Sequence, residues 1–412
     1  MSDFLAPVTP LVGPVLTRGR GSYVWDTMGN RYLDCNAGQF CAILGHSHPD
    51  VAELISRQAS KIQNTSTTTV GEEALEAARK LHEITEEMDG RSVFLSTGAE
   101  ANECCLRYAK HLTGRKGVIS FEPAWHGLTL GTECISLSRR HVKPQIPYTF
   151  SVPVPPVKEG SEVAGGDLDL YVDAFSNIVQ QHGEEIAAAI FEPIVSSGGM
   201  LFPPKEYFQR VAEICRRHGI LLILDECQTG FARTGTWFYF QQLGVIPDFI
   251  VCGKGMGLGY PASVVVFRGA LVPPDGFKMK LYSSHQNDPF NCALVTFAID
   301  WIVQHDLLAT IRQRGTYFLE RLTELAREFP LVQKPRGRGL MLGFDLVGDA
   351  LPDNSVLSRD FLAALLKRGC LMQATNAGRT IRILPNYLIE TNEIDQFIDA
   401  VREVALLKDF SC

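Results

Sequence analysis

The sequence predicts an α/β protein: a large, mostly parallel sheet with helices on both faces, joined to a smaller α+β unit. Three observations carry this. Between residues 92 and 268, short apolar runs alternate with helical stretches, as strands do when crossover helices connect them. Two of those runs, 221–224 and 249–251, are too short for helices and each ends in a charged group. Buried parallel strands look this way when they deliver chemistry at their C-terminal ends. From residue 331 the pattern changes to strand, helix, strand, helix.

At 412 residues the chain exceeds a usual domain of ~100 to 200 residues. We expect an N-terminal segment (1–48) contributing to the small domain, a large domain (49–330) and a C-terminal small domain (331–412). A hydrophobic content of 45% with 21% charged residues describes an ordinary soluble protein. The net charge of -7, without a basic stripe, excludes a nucleic-acid footprint and points to small-molecule partners. No apolar run approaches the ~18 residues of a membrane helix. The start, MSDFLAPVTP, lacks a basic region followed by an apolar core, so no secretory signal is expected. The eleven cysteines include no Cys-x-x-Cys pair, which argues against a disulfide framework or a zinc site and for a reducing, cytoplasmic compartment.

In chain order, Met28-Gly29-Asn30 between two β-rich runs predicts a hairpin. His46 and His48, separated by one residue and with no third histidine nearby, read as structural rather than as metal ligands. A helix over 49–62 leads into the hydroxyl-rich loop 64–69, and a second helix covers 72–86. The strand 92–95 then turns through Ser96-Thr97-Gly98-Ala99 into a helix reaching residue 110. Free backbone N–H groups, the Thr97 hydroxyl and the lack of bulk at Gly98 and Ala99 suit a phosphate. The strand 117–121 runs toward Trp125, which could cover a flat ligand or pack on the core. Residues 151–167, rich in Pro and Gly, read as a surface loop, and a helix covers 170–181.

The strand 187–191 leads into EPIVSSGG, and the helix 205–217 stops at Gly219 as a glycine C-cap would have it. The run 221–224 then delivers Asp225, Glu226 and Gln228, and the run 249–251 delivers Lys254. Four apolar residues before Asp-Glu also resemble the magnesium strand of a phosphate-loop ATPase. That enzyme needs Gly-Lys-Ser or Gly-Lys-Thr, and the chain has Gly253-Lys254-Gly255. Beyond the strand 263–267, helices cover 291–304 and 307–329; the small unit has strands 339–346 and 380–384 and helices 360–368 and 391–408. Arg382, flanked by apolar residues, needs a carboxylate or phosphate partner if buried.

Ligands of such sheets bind at the strand C-terminal ends, where Thr97, Trp125, Ser197, Asp225 and Lys254 fall. A lysine, a strand-end aspartate, a phosphate-suited turn and an aromatic cover together describe a site for pyridoxal 5'-phosphate. Lys254 would bind the aldehyde and Asp225 would pair with the pyridine nitrogen. Gln228 would meet the ring hydroxyl, and Thr97, Gly98 and Ala99 the phosphate.

The motifs FLSTGAEANE, AWHG, EPIVSSGG, LLILDECQTGFARTG, the lysine of VCGKGMGLGYP and RILP resemble the class III (subgroup II) aminotransferase family of fold type I. The resemblance covers nearly the whole chain. Within that family, AGQ at Gln39, WHG followed by Leu128, SSGG with Ser197 and Ser-His-Gln-Asn-Asp-Pro from Ser284 are similar to the 2,2-dialkylglycine decarboxylases. This resemblance implies a homodimer with shared active sites, in which Ser284 reaches the phosphate of the neighbouring subunit's cofactor, and leaves tetramers open. It also implies an alkali cation at Asp288 and Thr67, where Asp288 reads equally well as a plain helix N-cap, and a substrate pocket formed by Gln39, Trp125, Leu128, Ser197 and Arg382. The chain departs from the family pattern at Ser284, usually threonine, at Leu128, methionine in the decarboxylases, and at Cys227, usually a small apolar residue behind the ring.

The expected activity is decarboxylation-dependent transamination of an α-amino acid, including α,α-dialkyl ones, with a keto acid acceptor. Gln39 and Lys254 holding the carboxylate perpendicular to the ring would favour loss of CO2. Arg382 holding it in the ring plane would favour transamination alone. An ordinary class III aminotransferase, an epimerase or lyase on the same fold, and a non-catalytic cofactor-binding protein stand as alternatives.

Overall fold

The computed structural model describes residues 5–6, 13–136, 147–156, 167–272, 281–347 and 354–407. Its strands are β1 (Leu16–Arg20), β2 (Tyr23–Asp26), β3 (Arg31–Asp34), β4 (Arg91–Leu95), β5 (Gly117–Phe121), β6 (Thr149–Val152), β7 (Ile186–Phe191), β8 (Leu221–Asp225), β9 (Phe249–Cys252), β10 (Ser263–Phe267), β11 (Val332–Arg338), β12 (Met341–Leu346), β13 (Cys370–Leu371), β14 (Gln373–Thr375) and β15 (Thr380–Ile383).

Seven of them form the main sheet in the order β4-β10-β9-β8-β7-β5-β6. The pairs β9·β8, β8·β7, β7·β5 and β5·β6 are parallel, and β10 runs antiparallel to both its neighbours. The sheet is buried on both faces, which is why its strands are continuous apolar runs rather than alternating ones. Ile223, Val251 and Val265 join one core with Cys104 and Cys105 from the helix Gly98–Thr113. Their neighbours Leu222, Leu224, Ile250, Cys252, Val264 and Val266 face the opposite core, with Phe175 and Phe208 from the helices Leu168–His182 and Lys205–His218. Gly219 ends the latter helix in the left-handed region, at φ 63.

The smaller antiparallel sheet, β11-β12-β15-β14, carries Arg382 in β15, opposite Gly343 on one side and Gln373 on the other. A third sheet joins the chain's two ends, since β13 pairs in parallel with β3, Cys370 opposite Leu33. The predicted hairpin is formed by β2 and β3, and the Asp26 carboxylate pins its turn by accepting from Met28 N, Asn30 N and Tyr32 Oη. His46 holds Asp34 at 2.8 Å and His48 packs edge-on against Trp301, both structural roles. All ten cysteines among the described residues are free thiols. Among those residues no single helix is long and apolar enough to cross a membrane.

Two expectations need correction. Residues 151–152 belong to β6 rather than to a surface loop. That strand lies at the sheet edge, where the prolines following it cost no ladder hydrogen bond, so its Pro-rich context misled. Residues 153–156 and 167 of the expected loop lie outside helices and strands, and 157–166 lie outside the described residues. The strand expected over 339–346 is preceded by β11, whose Lys334 (φ 50), Pro335 and Gly337 disguise a strand.

Candidate active site

Strands β8 and β9 are adjacent and parallel, with Asp225 opposite Val251, so Asp225 and Lys254 leave the sheet at the same end. Asp225 is buried and its carboxylate has three partners. Its Oδ2 accepts from Asn102 Nδ2 and lies against His126 Nδ1, both at 2.7 Å, and Oδ1 accepts from Cys227 N at 3.1 Å. Burial pushes its pKa up, but the hydrogen bond and charge of His126, with Lys254 and Cys227, hold it below the ordinary carboxylate value. The site therefore keeps a buried anion. His126 and Asn102 were not singled out from the sequence; with ten histidines in the chain, only the fold shows which one meets Asp225. Glu226, next along, faces the other way and ties the 226–240 loop through Thr229 Oγ1 and the N–H groups of Tyr239 and Phe240.

Lys254 is half-buried at the start of a short 3-10 turn, Lys254–Gly257, with φ 50. A non-glycine residue in that region stores strain of a kind that clusters at functional sites. Cys227 lies between this turn and the phosphate-suited one. A Cβ on Gly98 would come within 2.6 Å of its sulfur, and one on Gly253 within 3.3 Å. Gly127, at φ 119, leaves room for no side chain against Ala99. The helix from Gly98 thus opens onto a turn kept free of bulk. Thr97 caps it, its hydroxyl accepting from Glu100 N at 3.2 Å, while the Glu100 carboxylate turns back to Ser96 N. Gln228 is buried with its Oε1 unpartnered, and Trp125 leaves 38% of its surface open.

Two of the predicted substrate residues, Ser197 and Gln39, gather around Arg382. Its guanidinium is buried, with Nη1 3.5 Å from Ser197 Oγ, Nη2 3.2 Å from Gln373 Oε1, and Cζ 4.7 Å above the Phe40 ring; Nε has no partner. Burial lowers its pKa to about 10 against the opposing field of Glu192, so it stays charged at neutral pH. Gln39 enters the same group through Gln373, whose Nε2 donates to Gln39 Oε1 at 3.1 Å. The turn presenting Gln39 is strained, with Ala37, Gly38 and Phe40 all at positive φ. Leu128 follows the Trp125 turn and is exposed.

Ser284 and Asp288 are set apart from these. Ser284 is exposed, and its carbonyl accepts from Asn64 Nδ2 at 3.0 Å. Asn287 anchors the segment to β4 by bonding Phe94 through both its side chain and its backbone. The Asp288 carboxylate, expected either at a cation or as a helix N-cap, caps the helix Pro289–Gln304 through Phe290 N and meets Asn64 Nδ2 (3.1 Å) and His285 Nδ1 (2.6 Å). Thr67 is exposed in its loop, and the described residues contain no cluster of His, Cys, Asp or Glu able to hold a metal.

Glu192 is a second acid at the site that sequence reasoning passed over. It is buried, and accepts from Trp125 N (2.7 Å) and Ser196 N (3.4 Å), so one carboxyl holds both the Trp125 and the Ser197 turns. Burial raises its pKa to about 7, opposed first by the charge of His126. The folded state therefore keeps a proton that the unfolded chain releases from about pH 4.5, and stability is lost as pH rises toward 7. Buried Glu226, also raised to about 7, acts in the same sense. We expect the Tm of the protein to fall across this window and Glu192→Gln to remove about half of these two acids' share. An unaltered slope in the variant would show that Glu192 is not the source.

Comparisons with known proteins show the family of the chain. The family model described as aminotransferase class-III matches residues 7–405. The acetylornithine aminotransferase of Methanothermobacter thermautotrophicus is 35% identical over 395 residues, 95% of this chain and 93% of that protein. Ornithine aminotransferase 1 of Staphylococcus aureus is 32% identical, covering 95% of this chain and 94% of its own length. Among solved structures, an (S)-enantioselective omega-transaminase from Thermomicrobium roseum superposes with a TM-score of 0.88 at 30% identity, over 98% of this chain and 96% of that one. These relatives are named as transaminases, and the likeness to dialkylglycine decarboxylases rests on the short motifs alone.

Proposed function

This chain belongs to the class III aminotransferases, and on that footing we propose that it moves an amino group from an amino acid to a keto acid with pyridoxal 5'-phosphate. The residues fit that cofactor: a buried anion at Asp225, an unpartnered Gln228 Oε1, a helix start cleared of bulk at Gly98, and an open Trp125 face. When bound, the cofactor supplies a sink for the electron pair released at the substrate Cα. Asp225 would hold the ring nitrogen protonated, and His126 and Asn102 keep Asp225 ionised and aimed. The N–H groups from Gly98 and Ala99 and the Thr97 hydroxyl would hold the phosphate, Gln228 would accept from the ring hydroxyl, and Trp125 and Cys227 would line the ring's site. Lys254 would hold the resting cofactor and, as a free amine once substrate is bound, would move the proton at Cα.

The single observation that supports an amino acid as substrate is Arg382, a buried cation whose partners are a hydroxyl, an amide and a ring face. A charge taken out of water without a counterion is costly, and a substrate carboxylate supplies the missing one. Ser284, exposed and fixed by its neighbours, is proposed to reach the cofactor phosphate of a second subunit in a homodimer. A cation at Asp288 and Thr67 would have to displace Asn64 and His285 from the carboxylate, so it forms no part of the proposal. Decarboxylation is a second reading, favoured by the held amide of Gln39 beside Arg382.

The experiment incubates the purified holoenzyme with ornithine, N-acetylornithine, L-alanine or 2-aminoisobutyrate, with pyruvate or 2-oxoglutarate as acceptor, and measures amino acid product and CO2. A new amino acid without CO2 supports transamination, CO2 matched to product from 2-aminoisobutyrate supports the second reading, and no product with any pair overturns both. A charge-assisted hydrogen bond is worth roughly 1.5 to 3 kcal/mol, so Arg382→Ala should cut kcat/KM for carboxylate donors by about tenfold to 150-fold. Unchanged values would remove Arg382 from substrate binding.

A further inference from the structure

We propose that Gln373 is a positioning residue that makes the enzyme demand a carboxylate on its substrate, bridging Arg382 and Gln39 while leaving the Arg382 charge unpaired. The inference rests on the aminotransferase reading and concerns the substrate side of the same site. Gln373 on β14 lies directly opposite Arg382 on β15. Directly opposed residues of an antiparallel pair project from the same face, with Cβ atoms ~4.5 to 5.5 Å apart. The backbone around Gln373 is held as well. The Asn36 amide, turned so that both its ends are satisfied, accepts from Gln373 N at 2.9 Å and donates to Arg382 O at 3.1 Å. Two residues on, the Thr375 hydroxyl donates to Ser197 O.

The chemistry of the partners fixes which way the Gln373 amide points. A guanidinium only donates, so the amide oxygen must face Arg382 Nη2, at 3.2 Å, and the nitrogen then donates to Gln39 Oε1, at 3.1 Å. The amide nitrogen of Gln39 is thereby left as a donor on its exposed side. Arg382 is aimed without being neutralised. Among the described residues no carboxylate lies within ion-pair distance of it; Glu192 acts only through space, both its oxygens bonded to the backbone of Trp125 and Ser196. A donor with a carboxylate relieves the cost of this buried charge, and an amine of the same carbon skeleton leaves it standing.

Gln373→Glu places a carboxylate where the neutral amide was, and Gln373→Leu removes the bridge without adding charge. The test compares kcat/KM for L-alanine with that for ethylamine, using pyruvate-free wild-type and variant holoenzymes with 2-oxoglutarate as acceptor. Gln373→Glu should lower the L-alanine value by about tenfold to a hundredfold and keep ethylamine within about twofold of wild type; Gln373→Leu should lower L-alanine by several-fold. The Kd of propionate, measured by calorimetry on the holoenzymes, should weaken in the same order. Equal losses for both donors would mark Gln373 as merely structural, and an unchanged donor ratio with an unchanged propionate Kd would also overturn the proposal. Failure of wild type to use any donor would count against the aminotransferase reading instead, and the propionate titration would then decide Gln373 alone.

Discussion

Lys254→Ala should yield a folded protein without the visible absorbance of lysine-bound cofactor and with turnover reduced by at least about 10²- to 10⁴-fold, the usual share of a positioned proton-transfer group. The expectation follows from position. Lys254 is the charged residue of a glycine-flanked turn, held at φ 50, that continues the strand next to the one bearing Asp225. Truncating it removes an amine from the site while leaving Gly253 and the packing of Cys227 in place. A small primary amine added to the assay should restore part of the lost rate, which a misfolded variant would not allow. Retention of both absorbance and turnover would refute the assignment.

Asp225→Asn should bind the cofactor and lower kcat by about 10²- to 10³-fold, the range for loss of one preorganised electrostatic contact. The variant keeps the shape and can still accept from Cys227 N, but it gives up the charge that His126 and Lys254 now stabilise. Asp225→Ala should also destabilise the fold, because His126 Nδ1 and Asn102 Nδ2 would be left buried without their acceptor, at about 1 to 3 kcal/mol each. A kcat in Asp225→Asn equal to wild type would show that the anion does not act on the reaction.

Much of this arrangement was legible before the fold. The runs ending at Asp225 and before Lys254 are the adjacent parallel strands β8 and β9, because a run buried on both faces must be apolar throughout. Arg382 stood out for the same reason, a charge inside an apolar strand. What stayed hidden depends on distant pairing. His126 and Asn102 meet Asp225 across separations of 99 and 123 residues. Gln373 lies in the three-residue β14, too short to show any period, yet its place opposite Arg382 fixes its role. At Asp288 the sequence carries two readings, a cation ligand and a helix N-cap, and the carboxylate does cap the helix that opens at Pro289.

Borohydride reduction of the wild-type holoenzyme, followed by protease digestion and mass spectrometry, decides whether Lys254 carries the cofactor. The phosphopyridoxyl mass should appear on the peptide containing Lys254. Its appearance on another lysine, or on none, would contradict the site built around Asp225 and Lys254.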